Sequence, residues 1–350
     1  MLKFIYTFNK VHLFVPFTRL VVKGACIVKV AVLANLKEDA PHRPDDAPGR
    51  WDDLDEPKTI QAIMDALQQN GHQTEYFPAD SHLPAALRHF QPDICFNYAV
   101  GHYGESRLAQ TPALLDLLGI PYTASDVQGM LYSHNKQMAK KVFQAHGLPT
   151  ANFIVVDDPD HYSSAGLCFP LFVKPASEGS SVGVDDHAIV HNAADLAHQI
   201  QWAWSMIHAP ILVEEYVAGR EFTIGVLGDE ALPVVEIVSP IGFYSHAQKE
   251  DADSQTYRLC PAPLTDEFTL ELQTLARRAK QVLHLRDLCR MDLRLDANDK
   301  PRILEVNAIP LLYPDVTQAS FVCAAEVAGY TYPALINRVL QLAAKRCGLG

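Results

Sequence analysis

Arg290, Asp292, Glu305 and Asn307 have the residue types and spacing of a cation and phosphate site. They lie in Cys289–Pro310, CRMDLRLDANDKPRILEVNAIP, which reads as two short strands around a polar turn at Ala297, Asn298, Asp299 and Lys300. Met291, Leu293 and Leu295 alternate with Arg290, Asp292 and Arg294, and residues two apart in a strand share a face. With Asp296 opposite Pro301, the count back sets Asp292 opposite Glu305 and Arg290 opposite Asn307. One face then gathers an arginine, two carboxylates and an amide over Met291, Leu293, Leu304 and Val306. Such oxygen ligands suit Mg²⁺, which takes one or two carboxylates together with nucleotide phosphates. The alternative is a solvated hairpin face. The apolar run Ala308-Ile309-Pro310-Leu311-Leu312 favours a site that borders a buried segment.

The elements that must position this face belong to a chain of 350 residues, long enough for two or three domains with cores of their own. Its composition, 48% apolar and 20% charged, is that of a globular protein. A formal charge of −12 excludes nucleic acid or an anionic membrane as the main partner, so any bound anion must be held by local basic groups. The 7 cysteines are scattered without a CxxC pair, which points away from a disulfide framework or zinc site and toward a reduced, cytoplasmic setting. Residues 1–24 read as an N-terminal extension, since Lys10, Arg19 and Lys23 break its apolar run well short of the ~20 residues a membrane span needs.

Cys26–Ala34 is a near-continuous apolar run of the kind a buried parallel strand shows, and a polar loop over 37–55 follows it. The helix expected over Thr59–Asn70 and the strand over His72–Tyr76 make a βαβ-type opening, with a further strand at Ile94–Ala99 and a helix at Leu108–Leu118. A helix at Asn135–His146 carries Lys136, Lys140 and Lys141. The strand Phe169–Pro175 ends in Lys174 and runs into Glu178-Gly-Ser-Ser-Val-Gly183, a flexible loop able to cover a polyphosphate or simply to turn; it lacks the spacing of a Walker loop. Ile211–Val217 and Glu221–Leu227 flank Ala218-Gly219-Arg220 and are expected to form a second hairpin. Helices are expected at Asn192–Ile207, Thr265–Leu285 and Tyr332–Lys345, with a strand at Leu232–Val238.

With these pieces in order, the chain from about Ala99 onward resembles the ATP-grasp superfamily and, within it, the D-alanine–D-alanine ligases. The matching pieces are Gly104-Glu105, Leu118-Gly-Ile-Pro-Tyr-Thr123, Asn135-Lys136, Val173-Lys-Pro-Ala-Ser-Glu-Gly-Ser-Ser-Val-Gly183, Glu214-Glu-Tyr-Val-Ala-Gly-Arg-Glu-Phe-Thr223, Cys260-Pro-Ala262, Arg290-Met-Asp292 and Glu305-Val-Asn307. The resemblance implies an α/β (α+β) ATP-grasp fold. An N-terminal Rossmann-like parallel-sheet domain (25–125) would precede two α+β subdomains, 126–208 and 209–350, that grip ATP between them. It implies that Lys136 and Lys174 contact the ATP phosphates, that Glu214, Glu215, Tyr216 and Val217 form the strand along the adenine, and that Glu221 binds the ribose. Asp292, Glu305 and Asn307 would hold two Mg²⁺ ions, with Mn²⁺ as an alternative, and Arg290 would face the oxyanion of a tetrahedral intermediate. Ser180 and Ser181 would close one loop over the site; Lys249, in a second loop, would reach a phosphate.

The implied reaction is an ADP-forming ligation. A carboxylate takes the γ-phosphoryl of ATP, and an amine attacks the acyl phosphate, which must be shielded from water. The implied partners are amino-acid or small-peptide substrates and a second copy of the chain in a homodimer. Departures bear on the substrates. Leu33-Ala-Asn-Leu-Lys-Glu38 stands where the family has a Gly-Gly-x-Ser-x-Glu segment that anchors the first ammonium group, leaving Glu38 and Glu250 as candidates for that role. Asn307-Ala-Ile-Pro-Leu311-Leu-Tyr313-Pro-Asp315 replaces the glycine-bearing acceptor segment, so Leu311, Tyr313 and Asp315 are expected to shape the acceptor pocket, Asp315 by repelling a carboxylate or holding an amine. A substrate pair other than D-alanine, and a dipeptide-tailoring role, stand beside cell-wall synthesis. Two rival readings are a non-catalytic, regulatory nucleotide-binding protein and a carboxylase. Arg290 argues against the first, and the lack of a biotin-carrier motif against the second. His102 is a substrate or packing residue, and Glu105 a substrate residue or a helix cap.

Overall fold

The computed structural model describes residues 27–43, 46–179, 182–239 and 256–349. Ser180, Ser181, Lys249 and Glu250 lie outside them. The chain opens with β1 (Lys29–Ala34), α1 (Pro57–Gln69), β2 (Gln73–Pro78), α2 (Leu83–Phe90), β3 (Ile94–Asn97) and α3 (Arg107–Leu118). The strands form one parallel sheet in the order β2-β1-β3. Buried on both faces, β1 has the unbroken apolar sequence that a central parallel strand requires. Helix α1 buries Ile60, Ile63, Ala66 and Leu67, a helical stripe, and stops where Gly71 takes φ +87°. The short helix α2 carries no strong sequence signal and is an addition to the expected elements.

Next come α4 (Val127–His134), α5 (Lys136–Ala145), β4 (Phe153–Val156), β5 (Leu171–Pro175), β6 (Ile189–Val190), α6 (Ala193–Ile207) and β7 (Ile211–Glu215). These strands pair antiparallel in the order β4-β7-β5-β6. The third sheet, β11-β10-β8-β12-β13 with β9 beside β8, is made by β8 (Glu221–Leu227), β9 (Glu230–Ala231), β10 (Val235–Val238), β11 (Tyr257–Leu259), β12 (Leu288–Leu295) and β13 (Pro301–Asn307). Helix α7 (Asp266–Val282) precedes β12; α8 (Ser320–Val327) and α9 (Tyr332–Arg346) end the chain. Among the described residues, no helix is long and apolar enough to cross a membrane.

Two expectations need correction. β7 and β8 do not form a hairpin: β7 inserts between β4 and β5, while β8 joins the third sheet beside β12. The connecting turn bonds to β12 instead, Gly219 N donating to Leu295 O at 2.9 Å and Leu295 N to Arg220 O at 3.0 Å. A Cβ on Gly219 would lie 2.3 Å from that Leu295 oxygen, so glycine is needed for the approach. Alternating strands around a short turn look the same locally whether or not they pair with each other. In the hairpin β12–β13, Asp292 pairs with Glu305 and Arg290 with Asn307 as expected, but Pro301 pairs with Leu295 rather than Asp296. A bulge after Ile303 absorbs the difference. Ile303 therefore takes the core position expected of Leu304, and Leu304 lines the cleft.

Candidate active site

The two antiparallel sheets, together with the loop 52–55 and with Tyr98 and Val100 just past β3, line one cavity of about 950 Å³. At one end, helical spacing sets Lys136 and Lys140 one turn apart on α5, while β5 brings in Lys174. The strand alternation of β7 turns Glu214 toward the lysines: its two oxygens lie 2.6 Å from Lys174 Nζ and 2.6 Å from Lys140 Nζ. Burial alone would raise the Glu214 pKa, but the two ammonium groups hold it at about 2, and the group stays ionised. Burial pushes Lys140 down against the pull of Glu214, and Thr150 Oγ1 takes a further Lys140 hydrogen bond at 2.6 Å. Lys136 Nζ lies 3.3 Å from Glu305 and donates to the Glu178 carbonyl.

Glu215, one position on, points the other way and accepts from Asn152 Nδ2 (2.9 Å) and Cys168 N (3.0 Å), so it meets the cleft without a free carboxylate. Tyr216 stacks on Phe172 with centroids 6.2 Å apart and planes 18° from parallel, and the Arg294 guanidinium sits 5.2 Å from the Tyr216 ring centroid. With Val217 behind them, these groups make a flat, partly apolar slot beside strand backbone, a shape that accepts a planar heterocycle. Glu221 lines the same end, 4.0 Å from Arg294.

Across the cavity, Arg290 grips Asp292 with two hydrogen bonds of 2.9 and 2.7 Å, while Thr223 Oγ1 and Asn307 Nδ2 donate to the same carboxylate at 2.6 and 3.0 Å. The Glu305 side chain is 31% exposed and faces the cleft. Two carboxylates and the free amide oxygen of Asn307 form a hard-oxygen donor set that fits Mg²⁺. No group of three His, Cys, Asp or Glu residues that could hold a metal exists among the described residues, so phosphates or water must complete the coordination. Ligation through Asp292 requires Arg290 to release it, because four hydrogen bonds already occupy that carboxylate.

The substrate end departs most from expectation. Glu105 is exposed and Glu38 is exposed on a 3₁₀ turn; neither lines the cavity. Tyr313 lies outside it under Lys58 Nζ, 4.6 Å from the ring centroid. Asp315 folds its own turn, accepting from Thr317 N, Thr317 Oγ1 and Gln318 Nε2 at 2.8, 2.6 and 3.1 Å, and also stays outside. A proline-bearing segment spends such a residue on local geometry. Leu311 does line the cleft. His102 packs edge-on against Trp51, with centroids 5.8 Å apart.

In place of Glu105, the neighbouring Arg107 is buried against Asp53 (2.6 Å) and Glu178 (3.4 Å), and Arg50 meets Glu178 at 2.5 Å. These pairs fasten segment 50–55 to the loop after β5. That segment, held by backbone bonds from Lys37 N to Asp55 O and from Asp55 N to Asn35 O, delivers Asp55 into the cavity, where its side chain has no hydrogen-bond or ion-pair partner among the described residues. Burial, reinforced by Asp53 and Glu56, holds its pKa well above the usual carboxylate range. Arg258 and Ser320 line the cavity near Leu311. Lys140 and Thr223 were within reach of sequence reasoning, one turn from Lys136 and two residues from Glu221. Asp55 and Arg258 carry no local signal.

Residues 142–341 match the family described as D-ala D-ala ligase C-terminus. The chain is 32% identical over 293 residues to the D-alanine–D-alanine ligase of Mannheimia succiniciproducens, covering 81% of this chain and 91% of the relative. To that of Aquifex aeolicus it is 33% identical over 288 residues, covering 81% and 94%. In structure it resembles the ATP-complexed D-alanine–D-alanine ligase of Bacillus anthracis, with a TM-score of 0.73, 19% identity and coverage of 92% and 99%, a likeness of fold.

Proposed function

The chain belongs to the D-alanine–D-alanine ligase family and is an ATP-dependent carboxylate–amine ligase, and from that premise we propose how its own residues divide the work and which substrates they take. The observation that carries the reading is the convergence of Lys174, Arg290, Asp292 and Glu305, from different sheets, on one cavity. In this reading the adenine lies in the Phe172–Tyr216 slot along residues 214–217, Glu221 meets the ribose, and Lys136 and Lys174 bind the phosphates. Asp292, Glu305 and Asn307 hold two Mg²⁺, or Mn²⁺, whose contribution when bound is to neutralise charge on the transferring phosphoryl group. Arg290, freed from Asp292, then faces the oxyanion formed when the amine attacks the acyl phosphate. Ser180, Ser181 and Lys249 close over the site and keep water from the acyl phosphate.

The donor is an amino acid whose ammonium group pairs with Asp55, a cavity carboxylate whose side chain has no hydrogen-bond or ion-pair partner among the described residues. D-Alanine, the substrate in the relatives' names, is one member of the class, and the departures at 33–38 and at Leu311, which lines the cleft, favour a specialised pair. The protein works in the cytoplasm as a homodimer. The test is phosphate release with ATP and Mg²⁺ across D- and L-amino acids, with Glu305→Ala as control. Turnover with D-alanine alone would sink the specialised-substrate reading. Turnover with another pair would establish it, and silence with every pair would overturn the amino-acid reading.

A further inference from the structure

Arg107 is the first residue of α3, and its side chain is only 2% exposed. Both placements are unfavourable: a cation at a helix N-terminus opposes the helix dipole, and a buried guanidinium has lost its hydration. Its contacts compensate. Nη2 donates to Asp53 at 2.6 Å and to Glu178 at 3.4 Å, while Nη1 donates to Asp53 at 3.2 Å and to the Gly101 carbonyl at 3.4 Å. The two carboxylates are remote in sequence, 54 residues before Arg107 and 71 after it. A local cap would have served α3 without burying a charge, so the arginine answers to something beyond the helix.

Asp53 and Glu178 belong to two different walls of the main cavity. Asp53 lies in the segment that ends at Asp55. Glu178 opens the loop after β5, and its carbonyl accepts from Lys136. The walls meet closely: a Cβ on Gly179 would lie 3.6 Å from Asp53 Cβ. Arg50, from the same segment as Asp53, adds a second tie to Glu178 at 2.5 Å, with its side chain 25% exposed. The planar fork of Arg107 can hold both acids at once, which a point charge on a flexible stem does less well.

We propose that Arg107 is a positioning residue for phosphoryl transfer, gripping Asp53 and Glu178 together so that the wall carrying Asp55 is fixed against the loop that holds Lys136. This rests on the ligase reading above and on Asp55 as the partner of the donor's ammonium group. Arg107 touches no substrate. Through Asp55 and Lys136 it aligns the donor carboxylate with the γ-phosphoryl group and keeps the seam between the walls closed to water. When the tie is cut, water replaces the donor carboxylate at the γ-phosphoryl group, or the amine at the acyl phosphate. In either case ADP and phosphate leave without a ligated product.

The test measures both ADP and ligated product for the wild-type chain, Arg107→Gln, Arg107→Lys and Arg50→Gln, each given the amino-acid pair that the wild type joins. For Arg107→Gln the expected result is a kcat for ligation lower by roughly a hundredfold, the cost of a misplacement of about an ångström, and a raised donor KM. ADP formed per product should rise from one to several, with the acceptor KM unchanged. Arg107→Lys recovers part of the loss, and Arg50→Gln shows the same pattern in smaller measure. A purely structural role would lower the fraction of folded protein and leave the donor KM and the ADP-to-product ratio at wild-type values. That outcome in Arg107→Gln overturns the inference and leaves the ligase reading standing. Should Arg107→Gln fail to fold, the same outcome in Arg50→Gln overturns it. A wild type inert toward every amino-acid pair overturns the substrate reading and this inference with it.

Discussion

The two ends of the cavity hold their charges differently. Around β5 and β7, Glu214 answers Lys140 and Lys174 on both of its oxygens. At the substrate end, Asp55 and Arg258 face the same cavity without an ion partner among the described residues. A buried charge that lacks a partner costs free energy, so a fold keeps one only where something else compensates it. In the proposed reading the paired end is built in advance for a cargo whose charge does not vary, the nucleotide. In the same reading the unpaired end is completed by the ends of the substrate.

Four measurements can break or sharpen that contrast. Glu305→Ala should lower turnover by roughly a thousandfold or more at saturating substrates while leaving the melting temperature little changed, because Glu305 faces the cleft rather than the core. Retained activity would place the phosphoryl chemistry elsewhere. Glu214→Gln should destabilise the fold by about 3–5 kcal/mol in a denaturant titration, since it leaves two buried lysines without their counter-charge. A loss below about 1 kcal/mol would mean that the lysines find other partners and that this end is not prebuilt.

Asp55→Asn should raise the donor KM roughly thirtyfold with the KM for ATP unchanged, the cost of one charge-assisted contact, and it should leave stability unchanged or improved, since it removes an unpaired carboxylate. An unchanged donor KM would remove Asp55 from the site. The smallest effect is one of pH. His134 beside the cavity is held at about 4, against an ordinary 6.5, by burial and then by the charges of Lys136 and Arg107. Between those values the unfolded chain binds a proton that the folded chain refuses, so stability falls as pH drops through that window, by on the order of 2 kcal/mol. Glu214, at about 2 against an ordinary 4.5, adds a loss of the same sign below about pH 4.5. His134→Asn should flatten the upper part of that slope, and a slope that persists unchanged would assign it to other groups.

Much of this was legible from sequence because its causes are local. The β12–β13 face follows from alternation and one turn, and although the turn is a residue longer than expected, the bulge at Leu304 restores the register where Arg290, Asp292, Glu305 and Asn307 meet. The apolar run of β1, the stripe of α1 and the lysine at the end of β5 follow likewise from periodicity and position. What the chain alone determined was therefore the elements, the charged hairpin face and the motifs that carry family membership. Tertiary structure alone decided that β7 and β8 part into different sheets, that Asp315 is consumed by its own turn, and that Asp55 and Arg258 face one cavity from segments about two hundred residues apart. Strand periodicity repeats over two residues and helix periodicity over four, whereas which strand pairs with which, and which charge is left unanswered, depends on contacts that no local pattern encodes.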